Sequence, residues 1–249
     1  MRTDKDRIIE SFYAVRDMGY VKSLRRNNTG IGKTFEEYIG VVENNIDAPD
    51  LYGYEIKSHR EEASSYITLF TKAPTFPRGA NAYLKDRFGE SYDDNPELKK
   101  LHTSMFAGHY NSYCGRLSFR LINIPADRSI RIGIYDIATK ALIDDSVGYK
   151  YEIVEKALRR KMKNLFYVSA KREYRGDDEY FHFDKAEIYS NLSFDKFLGL
   201  LDDGKIMYDI RIGSYKSGRN YGKPHDHGSC FRLLEANLCL LYDTHEVVL

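Results

Sequence analysis

Hydrophobic positions at the start of the chain keep a helical rhythm. Ile8, Ile9, Phe12, Val15 and Met18 recur at spacings close to three and four and so share one face. Thr3 and Asp6 precede them at capping-box spacing, and Gly19 marks the stop. After a loop at 27–32 (NNTGIG), a shorter helix is expected at 34–42, with Phe35, Tyr38, Ile39 and Val42 on its apolar side. The period then drops to two. Residues 52–57 and 66–70 read as strands, and the polar run 59–65 as the turn between them.

Pro74, Pro77, Gly79, Gly89 and Pro96 punctuate 74–100, predicting a long excursion with one short helix. Further strands are expected at 117–124, 130–135, 165–170, 180–183 and 206–212. Helices are expected at 151–166, with Ile153, Ala157, Leu158, Met162 and Leu165 inward, and at 194–201, ending near Gly204. The segment 230–249 can supply a last strand and a closing stretch. No repeat or low-complexity linker interrupts the pattern, so any two lobes are threaded through one another.

Composition narrows the class. The 249 residues suffice for one large domain or two modest ones, and 42% hydrophobic content argues against extensive disorder. The net charge of +1 removes the easy argument for nucleic acid but leaves room for a local basic groove. Tyr is frequent at 21 beside 13 Phe and no Trp, which suits a wet interface without proving one. Cys114, Cys230 and Cys239 are too few and too far apart for a disulfide framework, consistent with a reducing cytoplasm. Residues 1–7 (MRTDKDR) lack a secretory apolar run and no apolar stretch is of membrane length, so a soluble cytoplasmic protein is expected.

Candidate chemistry centres on 49–57 (PDLYGYEIK). If 54–57 is extended, Glu55 and Lys57 point to one face and Ile56 to the other, with Asp50 entering from the preceding loop. Two carboxylates recruit a hard cation such as Mg²⁺, which prefers oxygen ligands. The ammonium can position or activate water for attack on a phosphate. Taken alone the pattern is weak, because Asp, Glu and Lys are common on exposed hairpins. Glu36, on the helix before the motif, can support the same centre; beside Glu37 it reads equally as a solvated carboxylate.

Together, 30–40 (GIGKTFEEYIG), 50–57 (DLYGYEIK), the later Asp209-Ile-Arg211 and the region 219–232 resemble the MvaI/BcnI restriction endonucleases, relatives of the MutH type of mismatch-repair nicking endonuclease. The similarity spans nearly the whole chain. It implies an α/β fold: a PD-(D/E)XK nuclease core with a mixed sheet flanked by helices and an interwoven DNA-recognition lobe. The catalytic lobe would take 1–75 and 115–175, the recognition lobe 76–114 and 176–249. Asp50 and Glu55 become Mg²⁺ ligands, Lys57 a catalytic lysine, and Glu36 the match to an additional acidic residue of the mismatch-repair type. A monomer cutting double-stranded DNA at CCWGG (W is A or T) through successive nicks is implied, with a cognate DNA methyltransferase acting on the same site.

DNA reading is expected in 211–232, where Arg211, Lys216, Arg219, Lys223 and Arg232 face the single acid Asp226, within a glycine-rich stretch. Arg211 and Arg232 can donate paired bonds to guanine, and Asp209 and Asp226 can accept from cytosine. His225 and His227 are candidates for base edges or phosphates, and Lys216, Arg219 and Lys223 for phosphates. An exposed Asp209–Arg211 salt bridge is the bland alternative. His225, His227, Cys230 and Cys239 lack a zinc module's spacing, and both thiols read as packed. Thr29–Thr34 (TGIGKT) lacks the first glycine of a nucleotide-binding loop but could hold a DNA phosphate near a helix start. His59 could touch phosphate or be an ordinary polar hairpin residue. The run 159–163 (RRKMK), with Lys171, Arg172 and Arg175, could add backbone contacts or form a solvated face. A noncatalytic DNA-binding module and a partner-activated repair nickase are the competing functions.

Overall fold

A computed structural model of the chain describes residues 2–27, 29–41, 50–61 and 65–249. The first elements are α1 (Asp4–Arg16), β1 (Val21–Lys22), α2 (Gly30–Tyr38), β2 (Glu55–Arg60) and β3 (Tyr66–Thr71). Next come α3 (Ala80–Phe88), β4 (Glu90–Ser91), β5 (Lys99–Met105), β6 (Leu117–Ile124), β7 (Ser129–Asp136) and β8 (Leu142–Lys150). Then follow α4 (Tyr151–Met162), β9 (Leu165–Arg175), β10 (Asp178–Leu192), α5 (Phe194–Asp202) and β11 (Ile206–Ser214). The chain closes with β12 (Pro224–Asp226), β13 (Cys230–Leu234) and β14 (Tyr242–Val248).

These elements divide into two units built from discontinuous segments. One takes Met1–Ser65, Arg159–Ser193 and Leu238–Leu249; the other takes Tyr66–Leu158 and Phe194–Asn237. The expected lobes and these units divide the chain at different residues. Residues 115–158 belong to the second unit, where β6, β7 and β8 pair with one another. Residues 176–193 and 238–249 belong to the first, because β10 and β14 pair in its sheet. Strand pairing, a long-range property, draws the line.

The first unit is a five-stranded mixed sheet in the order β1-β10-β9-β2, with β14 also on β10. β2 and β9 run parallel, while the other pairs are antiparallel. Thr3 and Asp6 form the expected capping box, and α1 buries Ile8, Phe12 and Val15. Phe12 meets Phe166 edge-on at 6.0 Å, and Phe35 of α2 tilts against Phe183 at 5.0 Å. Each such ring, fully buried, contributes about 1.5–3 kcal/mol. α2 begins four residues before its expected start; Ile31 and Phe35, at i and i+4, form its buried stripe, while Tyr38 is exposed. Val42, placed on that stripe from sequence, lies outside the described residues.

The expected hairpin of 52–57 with 66–70 does not form. β2 lies beside β9 in the first unit, and β3 pairs with β13 in the second. The second unit holds a six-stranded sheet, β3-β13-β11-β5-β4 with β12 on β11, and the three-stranded β6-β7-β8. Its core includes the fully buried Tyr149 and Tyr208, hydrogen-bonded to each other at 2.7 Å. Part of the tyrosine excess therefore serves packing. Among the described residues no helix is long and apolar enough to cross a membrane, and all three cysteines are free, with Cys230 buried and Cys114 and Cys239 exposed. Cys239 thus departs from the expected packed thiol, because it lies in a short 3-10 turn that buries Leu238 instead.

Candidate active site

Glu55 opens β2 beside Leu165 of β9, and its N–H donates to the Asn164 carbonyl at 3.0 Å. Its side chain is only 5% exposed. Ile56 turns the other way, into the apolar cluster under α1 and α2, so the alternation expected from sequence holds. Lys57, on the Glu55 face, places Nζ 2.6 Å from Glu55 Oε1. From the end of α4, Lys161 places Nζ 3.5 Å from Oε2. A carboxylate this buried is costly unless paired, and here two ammonium groups bracket it.

A tight reversal delivers Asp50 to the same strand. Leu51 and Tyr54 exchange backbone hydrogen bonds of 3.1 and 2.9 Å across Tyr52 and Gly53, which take φ of 50° and 78°. Gly53 suits that left-handed backbone because it has no Cβ. The reversal brings Asp50 Oδ2 within 2.8 Å of the Ile56 N–H, which donates to it. Pro49 lies outside the described residues. Behind Glu55, Tyr242 donates its hydroxyl to the Met162 carbonyl at 2.8 Å. Burial, and then the Glu55 charge, push the Tyr242 phenol far above its ordinary range, so it remains neutral.

Glu36, half-buried on α2, lines a cavity of about 310 Å³ together with Lys57, Ser58, Arg25 and Lys33. The structure thus brings Glu36 and Lys57 to one space at the edge of β2. Lys33 pairs with Glu37 at 2.9 Å. His59 lies in β2, not in a turn; it stacks on Tyr167 at 4.3 Å and meets Ser169 Oγ at 3.3 Å. Among the described residues, no group of three or more His, Cys, Asp and Glu side chains is arranged to hold a metal. Asp50 and Glu55 offer carboxylate oxygens, a donor chemistry that fits a hard cation needing further ligands from water or substrate.

The second unit holds the remaining sequence candidates. Asp209 is 1% exposed and accepts from Ser104 Oγ at 2.8 Å. Arg211 grips both its oxygens, Nε at 3.1 Å and a terminal nitrogen at 2.7 Å, while Arg232 reaches it at 3.4 Å. The arginines are 41% and 34% exposed, so Asp209 acts as a buried clamp beneath two outward guanidiniums. Asp226 is likewise engaged within the fold. One oxygen accepts from Gly228 N, Ser229 N and Ser229 Oγ, and the other from Asn81 at 3.0 Å.

Around them, His225 stacks on Tyr215 at 4.3 Å and lies 4.1 Å from His227. His102 of β5, register partner of Arg211, is held below the ordinary imidazole range by burial first, then by Arg211 and His227. Lys216 pairs with Asp94 at 2.7 Å and lies over the Tyr92 ring, while Lys223 reaches Asn220 at 3.2 Å. Arg219 occupies the exposed 3-10 turn Gly218–Asn220.

Against known proteins, the model of the MvaI/BcnI restriction endonuclease family matches residues 9–242. The chain belongs to this family. Among solved structures it is similar to restriction endonuclease MvaI in complex with its cognate DNA substrate, at TM-score 0.86 and 32% identity over 100% of both chains. It is also similar to MvaI in the absence of DNA, at TM-score 0.69 and 32% identity over 100% of this chain and 99% of that one. No curated protein matches. Membership in the MvaI/BcnI family makes the chain a restriction endonuclease, and the expected mixed α/β fold is the observed one.

In this MvaI/BcnI member, sequence reasoning missed several residues that the fold adds. In sequence Lys161 stands only as part of a basic run; nothing local says that the end of α4 meets Glu55. Ser104 and His102 escaped because β5 was not recognised in the polar stretch after Pro96. Arg25, beside Lys57 at the cavity, carried no signal beyond the doublet Arg25–Arg26 in a loop.

Proposed function

We propose that the chain is a Mg²⁺-dependent type II restriction endonuclease of the PD-(D/E)XK type, acting as a monomer on double-stranded DNA at CCWGG and nicking the strands in turn. The observation that carries this reading is the buried Glu55 carboxylate between Lys57 and Lys161, with Asp50 turned back onto the same strand. Asp50 and Glu55 would hold the cation, which when bound supplies charge against the phosphate and acidifies water. Lys57 orients the attacking water and offsets developing negative charge. Glu36, lining the same cavity as Lys57, orders that water in a supporting role.

Arg211 and Arg232 read guanine O6 and N7 through paired donors, held in plane by Asp209. Asp226 shapes the loop that presents His225 and His227 to base edges or phosphates. Lys216, Arg219 and Lys223 neutralise phosphates, with Lys216 exchanging Asp94 for DNA. A companion methyltransferase modifying the same site in the cytoplasm would protect resident DNA.

Purified protein incubated with Mg²⁺ should cut CCAGG and CCTGG duplexes and spare CCCGG and CCGGG. Lys57→Ala should bind the cognate duplexes in Ca²⁺ yet leave them intact. Failure of the folded wild type to cut any of the four duplexes across a range of salt would overturn the enzyme reading. Equal cutting of all four would overturn the site.

A further inference from the structure

We propose that the first unit carries a DNA-backbone seat of its own, a basic track leading from Lys57 through Arg25 to Arg172 that holds phosphates beside the cut. The inference rests on the nuclease reading for its ligand, duplex DNA, but extends it beyond Lys57 to Arg25 and Arg26, and to Arg172, which the sequence offered only as one of several possible backbone contacts. Two cavities of this unit share Arg25. One is the space of about 310 Å³ that Lys57 and Glu36 line. The other, about 670 Å³, is lined by Lys22, Arg25, Arg26, Arg60 and Arg172 against Asp177, Asp178 and Glu179. In a chain of net charge +1, cations thus outnumber carboxylates along a groove that starts at the candidate catalytic lysine.

The walls are built rather than loose. Arg60 pairs with Glu179 at 3.0 Å, with both side chains less than 15% exposed, and also donates to the Asn27 carbonyl at 3.3 Å. Ser23 N donates to the Glu179 carbonyl at 2.8 Å, and Leu24 N to Thr34 Oγ1 at 3.0 Å. Ser23 Oγ donates to the Arg25 carbonyl at 2.8 Å. The Arg25–Arg26 turn is therefore anchored to β10 and α2, which lowers the ordering cost of binding there. Arg60 lies on the opposite face of β2 from Lys57, over the Phe181 ring, so the two cavities are linked at Arg25 rather than along the strand. Phosphates flanking the one being cut are the ligands such a track would take. Guanidinium groups bind these without reading sequence.

The test is the salt dependence of duplex binding in Ca²⁺, followed by fluorescence anisotropy between about 50 and 200 mM salt. Cognate and scrambled duplexes would be compared with long and with trimmed flanks. Arg25→Gln, Arg26→Gln and Arg172→Gln should each lower the slope of log K against log salt by about 0.9 for every phosphate no longer neutralised. Cognate and scrambled affinities should fall by equal factors, and the effect should fade on trimmed duplexes. Arg172→Lys should keep the slope, and thermal melts matching wild type would set misfolding aside. Slopes unchanged in all three Gln variants would overturn the track; weakening confined to cognate DNA would overturn phosphate holding in favour of base reading. Wild type that binds no duplex would instead sink the proposed function, a result distinct from unchanged slopes in a protein that binds.

Discussion

Glu55 holds a charge where the fold has removed water, and its neighbours decide what that charge can do. With Lys57 at 2.6 Å and Lys161 at 3.5 Å, losing either ammonium leaves a buried carboxylate underpaired. Lys161→Met is expected to slow single-turnover cleavage by about 10- to 100-fold, as when a supporting partner of a metal-site ligand is removed. A rate equal to wild type would reduce Lys161 to a neighbour. Asp209 stands under Arg211 and Arg232 in a comparable way. Asp209→Ala should cost about 1–3 kcal/mol of preference for the cognate over a scrambled duplex while scrambled binding persists, measured by competition in Ca²⁺. Retained preference would show that the arginines keep their orientation without the clamp. At this scale the shared face of Glu55 and Lys57 was legible, because strand alternation assigns faces within a few residues. Lys161 was not, since 106 positions separate it from Glu55.

Elements were legible in kind more often than in partner. The first helix carried its own boundary signals, and its cap formed as written. α2 began earlier because Gly30 and Gly32 read as loop residues, whereas the burial of Ile31 and Phe35 outweighs the helix cost of two glycines. Gly30 also has a steric reason to be glycine: a Cβ there would lie 2.2 Å from the Arg25 carbonyl oxygen. Gly30→Ala should therefore destabilise the protein by about 1–3 kcal/mol through forced backbone displacement, read as a lower denaturant midpoint. An unchanged midpoint would mean that the 23–27 turn yields freely. β2 and β3 show the complementary failure: period-two patterning reveals which residues share a face but not which strand lies alongside.

On the scale of the molecule, one centre at Glu55 must serve both strands if the protein acts as a monomer. Supercoiled plasmid bearing a single site should pass through an open-circular intermediate before becoming linear, resolved on a gel over time. Linear product with no nicked species, at protein concentrations where sedimentation gives a single chain, would contradict successive nicking. Division of the chain into two threaded units is also a property of this scale. The lobes expected from sequence took two segments each, and the sheet of the first unit joins segments from far along the chain: β2 lies beside β9, and β14 beside β10.

By itself the sequence determined the faces: which side of α1 is apolar, that Ile56 opposes Glu55 and Lys57, and that 211–232 concentrates cations. These follow from backbone periodicity and residue chemistry, which act over a few positions. Only tertiary structure decided that Lys161 meets Glu55, that Asp209 is buried beneath two arginines, and that Arg25 joins two cavities. Such meetings arise where distant strands and helices find the packing that buries their apolar faces, and no local spacing encodes that choice.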